Sequence, residues 1–372
     1  MAGNRIMIVG LGDVGSHALE LLAMSPGIAS ILAADLNEDV GKRIVYGARA
    51  AASHMGLAPE IKFKRIDLNE VEKTAATIEE YIPHIVISTV TLQSPRVMRF
   101  NVPPETLVKF TQGGFGMWLP FHVPLVRKLM EAIRKSGVDV HVVSSSFPDV
   151  VNCVLDKMGL APTVGCGNFD HLIPEVRYTA AETLGLSVDS VSVYLVASHA
   201  NIEKLDIEQT MGGLPYYLKI IALGNDMTAK FDGDKLLLGA AQQLPPEVGL
   251  ITGASAAKNA LGLLSETGIE THCPGPNGLP GGYPVVLSSK GATVNLPEDI
   301  DLKTAIEINE KSLRGDGIEK IESDGSIIFA DSAVSVYREI LGYECKRLKV
   351  NECENRAEEL KILLRKLIDR KR

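Results

Sequence analysis

Residues Gly10, Leu11, Gly12, Asp13, Val14 and Gly15 set three glycines at the G-x-G-x-x-G spacing. An apolar run, 5–9, precedes them, and Val14, Ala18, Leu21 and Leu22 follow at helical intervals. A glycine turn joining a buried strand to a helix gathers backbone amides and the positive end of the helix at one point, chemistry suited to a pyrophosphate. The next apolar run, SILAADLN, ends at Asp35, where a dinucleotide fold places the acid that binds the adenosine ribose. A carboxylate there accepts hydrogen bonds from the ribose diol and repels the additional phosphate of NADP. The pattern therefore predicts NAD, held by these six residues and Asp35.

The second chemistry-bearing residue is His199, at the end of the apolar run VSVYLVASH. An imidazole titrates near neutrality and suits proton transfer. The same position also fits a capped strand-end histidine with no task.

The elements that must position these residues alternate. Strand and helix patterns follow one another through helix 40–54, the strand IKFKRIDL, helix 70–80, strand 84–91, helix 126–136 and the strand VDVHVVSSS. This βαβ repetition predicts an α/β Rossmann fold, a doubly wound parallel sheet, over residues 1–165. Thr89 and Val90 end the fourth strand, where the dinucleotide crosses the sheet edge. The Pro- and Gly-rich connection 92–116 reads as a long substrate or cofactor loop. A helix over 149–158, a strand at TVGCGN, a helix over 174–184 and the strand ending at His199 complete the sheet. Beyond residue 200 the pattern changes to mixed runs, an Ala-rich helix over 253–265 and a charged helical tail, so 166–372 reads as an α+β substrate domain.

Thirty-eight basic and 46 acidic residues leave a net charge of −8, with no basic run before the C-terminal turns. Nucleic acid and anionic membrane are thereby poor partners. Five cysteines without CxxC spacing suit a reducing cytoplasm, and no window of about 18 residues is apolar enough to span a membrane. The tail repeats Leu360, Leu363, Leu364 and Ile368 at helical spacing, an apolar face for the body or a second subunit; a homo-oligomer, dimer or tetramer, is expected.

The segment from VSSSFPDVV to VASHAN, with the glycine motif and Asp35, resembles the lactate/malate dehydrogenase family over about the first 200 residues. The resemblance implies that His199 removes the proton from a secondary alcohol as hydride leaves to NAD. It also implies Asp170 as the carboxylate partner of His199, although Asp170 equally suits a helix N-cap. Arg96 and Arg99 fall where the family keeps a substrate-polarising Arg, and GASAAKNALGLL resembles its pocket-lining helix, with Ser255 facing the site. The family's substrate-clamping Arg position falls on Glu175, so the expected substrate is a small polar alcohol or ketone other than lactate or malate. A second resemblance, of TQGGFGMWLPFHVPLVRKLMEAI, is to the NAD- and metal-dependent glycosidases of glycoside hydrolase family four. It implies a metal held by Cys166 and His199, while a buried structural cysteine is the plainer reading of Cys166. A third reading is a regulatory protein that binds NAD without turning it over.

Overall fold

The computed structural model describes residues 3–369. Six parallel strands, β1 (Asn4–Val9), β2 (Ile28–Asp35), β3 (Glu60–Arg65), β4 (Ile85–Ser88), β5 (His141–Ser144) and β6 (Val164–Gly165), form one sheet. Its order is β3-β2-β1-β4-β5-β6, so the direction of winding reverses between β1 and β4. Alternate side chains serve opposite faces: Met7 and Val9 enter one core, Ile6 and Ile8 the other. The helices α1 (Asp13–Ala23), α2 (Glu38–His54) and α3 (Val71–Tyr81) connect the first four strands. The fold is the doubly wound α/β arrangement that the sequence predicts.

The segment predicted as a long loop folds instead into α4 (Arg96–Asn101), α5 (Pro104–Gly113) and a single turn, Phe115–Trp118, before α6 (Leu119–Ser136). The prolines that suggested a loop occupy helix starts: Pro104 lies in the first turn of α5 and Pro120 in that of α6, where a missing N–H costs nothing. After β5 come α7 (Pro148–Asp156) and α8 (Ile173–Leu184).

The run ending at His199 does not complete the sheet. It forms β7 (Val191–Val196), which pairs antiparallel with β8 (Tyr217–Ala222), itself paired with β9 (Asn225–Asp226). His199 opens a short helix, α9 (His199–Glu203). Then follow α10 (Gly233–Gln242), α11 (Gly249–Leu263), the antiparallel sheet β10 (Ile269–Pro274), β11 (Gly282–Ser288), β12 (Gly291–Val294), and α12 (Leu302–Ser312). A last small sheet, β13 (Ile318–Ile321), β14 (Ile327–Phe329) and β15 (Arg347–Leu348), encloses α13 (Asp331–Leu341) in sequence, and α14 (Cys353–Asp369) ends the described chain. The end of the predicted tail, 370–372, lies outside the described residues.

The predicted division at residue 165 does not divide the cores. One core joins a face of the main sheet and α6 to Leu313, Ile327, Phe329, Tyr337, Leu360 and Leu364. The other face is covered by α1, α2 and the small residues of α11, together with β10 and β11. Among the described residues a third, separate core lies between α8, β7, β8 and α10, with Phe169, Leu205 and Met211. Residues from both predicted domains thus meet at the carboxyl edge of the main sheet.

Candidate active site

At the end of β1 the backbone turns through Gly10, with φ +92°, into α1. Two of the three glycines have packing tasks. A Cβ on Gly15 would lie 1.9 Å from the Gly10 carbonyl oxygen, and Thr89 Oγ1 donates to that same oxygen at 2.7 Å. Gly12 differs, for a Cβ there would meet nothing within 4 Å. An open space before the N-terminus of α1 is what a pyrophosphate cradle requires. Asp35 accepts hydrogen bonds from Leu11 N at 2.6 Å and Asn37 N at 2.8 Å, one on each carboxylate oxygen. Each oxygen keeps a lone pair for a ribose hydroxyl. These residues fit a dinucleotide.

Val14 carries α1 away from the turn, and Val90, beyond β4, accepts a hydrogen bond from Ser146 Oγ. Asp13 puts a negative charge in the first turn of α1, against an incoming phosphate, but Arg96 NH2 pairs with it at 3.0 Å. Arg96 also lines a cavity of about 260 Å³ bounded by Phe110, Phe115, Trp118, Ala200 and Glu203. The glycine turn and the cavity therefore share a wall.

His199 is not itself a lining residue; it lies against two that are, Phe115 and Glu203. The fully buried Ser198 and Asn201 fix the start of α9, with Asn201 Oδ1 accepting from Ser198 N at 3.1 Å. The backbone N–H of His199 donates to the Asp149 carboxylate, Nδ1 lies 2.9 Å from Asp316 Oδ1, and Nε2 lies 3.7 Å from Glu203 Oε1. Phe115 and Phe147 pack on the ring at 4.8 and 4.6 Å between centroids. Phe147 does so from the left-handed region, φ +47°, a conformation that costs a non-glycine residue about 1–3 kcal/mol and must be held by its surroundings. Burial pulls the imidazole pKa down, but Asp316, Glu203 and Asp149 outweigh it and hold His199 up at about 9. Burial pushes Asp149 up to about 6, against the opposing pull of His199 and Asn168.

Asp170 is not the partner of His199. Its carboxylate is taken by Lys258 Nζ at 2.6 and 2.8 Å and by Ser255 Oγ. Ser255 and Lys258, three residues apart, share one face of α11, and the turn 168–171 aims Asp170 at that face. Although burial opposes it, Lys258 holds the Asp170 carboxyl below its usual range. Ser255 accordingly lines a second cavity, with Asp170, Arg177 and Tyr194, and not the one beside Glu203. Arg99 does line the first cavity, paired with Asp206 at 3.0 Å. Glu175 is engaged by Thr179 of its own helix at 3.5 Å.

Cys166 is buried behind the end of β6, its N–H bonded to Ser144 O, and burial raises its thiol pKa. Among the described residues no group of three His, Cys, Asp or Glu is placed to hold a metal ion. Asp149, Asp316, Glu203 and Phe147 were not singled out from sequence. Glu203 was within reach of such reasoning, since it follows His199 by one helical turn; Asp316 lies 117 residues away, in an Asp-Gly pair that reads as a turn.

No family model matches the sequence, and no curated protein matches it either. Solved structures with the same fold include a lactate dehydrogenase from a Medee basin deep-sea metagenome library, at 12% identity and TM-score 0.58, covering 85% of this chain and 97% of that one. The malate dehydrogenase of Picrophilus torridus, at 15% identity and TM-score 0.57, covers the same shares. The lactate dehydrogenase of Cryptosporidium parvum, solved with lactic acid and nicotinamide adenine dinucleotide, is 12% identical with TM-score 0.57, covering 84% of this chain and 96% of that one. The chain has the lactate/malate dehydrogenase fold, and at such identities the likeness extends to the fold alone.

Proposed function

We propose that the protein is an NAD-linked oxidoreductase that interconverts a secondary alcohol and its ketone, with His199 exchanging the proton. The observation that carries this reading is Arg96, which lines the cavity reaching Glu203 and also pairs with Asp13 of the glycine turn. Arg96 thereby links the glycine turn to the cavity, and Phe115 and Glu203 link the cavity to His199. Gly10, Leu11, Gly12, Gly15 and Asp35 would hold NAD, with Thr89 and Val90 at the strand end beside it; the bound nicotinamide supplies or accepts the hydride. His199, held at about 9, is protonated near neutrality and donates to a ketone oxygen. In the oxidative direction it accepts a proton once deprotonated, so oxidation rises toward pH 9. Asp316 fixes the ring and stabilises its charge, the part the family resemblance gave to Asp170.

Lactate and malate are poor candidates. Both cavity arginines are committed to carboxylates, Arg96 to Asp13 and Arg99 to Asp206, and Glu175 stands where the resemblance placed a clamping arginine. A bidentate anchor for a substrate carboxylate is missing from this set. The buried, unbridged cysteines favour a reducing cytoplasm, and the family resemblance favours a homo-oligomer, dimer or tetramer.

Deuteride transfer from labelled NADH to a panel of neutral, cationic and anionic ketones tests the reading. His199→Asn is expected to lower transfer roughly 100- to 10,000-fold while NADH binding survives. Transfer undiminished in that variant, or none from the wild type to any ketone, rejects the proposal.

A further inference from the structure

We propose that the cavity beside His199 takes an organic ammonium ion, with its apolar body on the aromatic wall and its charged nitrogen against Glu203. The inference names the substrate class of the site assigned above and rests on that assignment for its catalytic meaning, but the binding it describes stands on the cavity alone.

Charge is the first observation. Every cation lining the cavity has its own carboxylate: Arg96 with Asp13 at 3.0 Å, Arg99 with Asp206 at 3.0 Å, Lys204 with Glu208 at 2.6 Å. Among the described residues Glu203 has no Lys or Arg partner of its own. Its nearest positive group is His199 at 3.7 Å, which is already bonded to Asp316 at 2.9 Å and carries Asp149 on its backbone N–H. Three carboxylates therefore surround one imidazolium, and of the three Glu203 alone lines the cavity. Glu203 lines the cavity with its side chain 32% exposed, and burial pushes its carboxyl pKa up against the pull of His199; a positive ligand beside it favours the charged carboxylate.

The wall is the second and independent observation. Phe110, Phe115, Trp118 and Tyr337 line the cavity together with Phe100, which is 62% exposed. Aromatic faces attract ammonium ions through their quadrupole, best where water is excluded. They offer nothing of the kind to a carboxylate, so wall and charge select the same ligand class.

Three probes of one shape decide the matter at low salt: phenethylammonium, phenethyl alcohol and hydrocinnamate, titrated calorimetrically into the full chain. The ammonium is expected to bind at least ten-fold tighter than the other two. Glu203→Gln should remove that preference, and Arg99→Met, which releases Asp206 from its ion pair, should tighten ammonium binding about three-fold by the added negative charge. Equal or tighter binding of hydrocinnamate, or a preference unchanged in Glu203→Gln, overturns the proposal. NADH titrated in parallel separates it from the function above: ammonium binding with Glu203 dependence but no NADH binding leaves this site standing and removes the dehydrogenase reading.

Discussion

His199 owes its properties to residues drawn from four separate segments. Asp149 comes from the first turn of α7, Phe115 from the turn after α5, Glu203 from its own helix, and Asp316 from the turn before β13. Asp316 matters most, since it bonds the ring directly in a buried place. Asp316→Asn should lower the pKa of His199 from about 9 toward the ordinary imidazole value and, by breaking a buried pair, cost roughly 3–5 kcal/mol. The sign with pH follows from linkage. The folded pKa lies above the unfolded one of roughly 6.5, so the pair's stabilisation is complete below pH ~6.5 and is lost as pH rises through about 9. Urea denaturation from pH 6 to 9.5 should show the wild type losing stability across that window and Asp316→Asn losing much less; parallel profiles would remove Asp316 from the role. The histidine itself was legible in the sequence, because a polar residue closing an apolar run is conspicuous. Its partner was not: long-range pairing leaves no local pattern, and Asp170 was nearer in order but faces the Lys258 amine.

Among the elements, the glycine pair at 113 and 114 shows how a local sequence serves a distant contact. The sequence puts this pair near the end of the connection that reads as a long substrate or cofactor loop. In the fold, a Cβ on Gly114 would stand 2.1 Å from the backbone carbon of Asp316, and one on Gly317 would stand 2.2 Å from the Gly113 oxygen. Two backbones thus touch where side chains would hold them apart, and that contact places Asp316 under His199 while Phe115 covers the ring. Gly114 has φ +78° and ψ 161°, a region open essentially to glycine only. Gly114→Ala should therefore cost about 1–3 kcal/mol from the backbone alone, before any clash, and lower the pKa of His199 as Asp316 withdraws. Denaturation together with an NMR titration of the imidazole checks both; a shift in neither would show that the contact is dispensable. The strands and helices of the main sheet were readable because each buries a regular stripe. The region 92–116 misled because its prolines start helices as readily as they interrupt them.

At the scale of the molecule, the chain folds back on itself. The tail helix α14 packs against α6 with Cys353, Ala357, Leu360 and Leu364 buried, so the last residues complete a core begun by the first strands. Composition and periodicity revealed two grammars, parallel α/β then mixed α+β, but not that the second helps to cover both faces of the first one's sheet. Leu364→Ala should destabilise the whole protein by about 2–5 kcal/mol in one cooperative transition. Two transitions, with only one of them moved, would mean that the cores are separate.

The cofactor site is the claim on which the rest depends, and fluorescence titration of NADH and NADPH into the wild type and Gly12→Val tests it most directly. The valine enters open space, so the variant should fold as before while NADH binding falls at least ten-fold. The wild type should favour NADH over NADPH, because Asp35 repels the additional phosphate. NADPH binding as tight as NADH would transfer recognition from Asp35 to Arg65, its neighbour on β3, and NADH binding untouched by Gly12→Val would mean that the glycine turn is not the cradle.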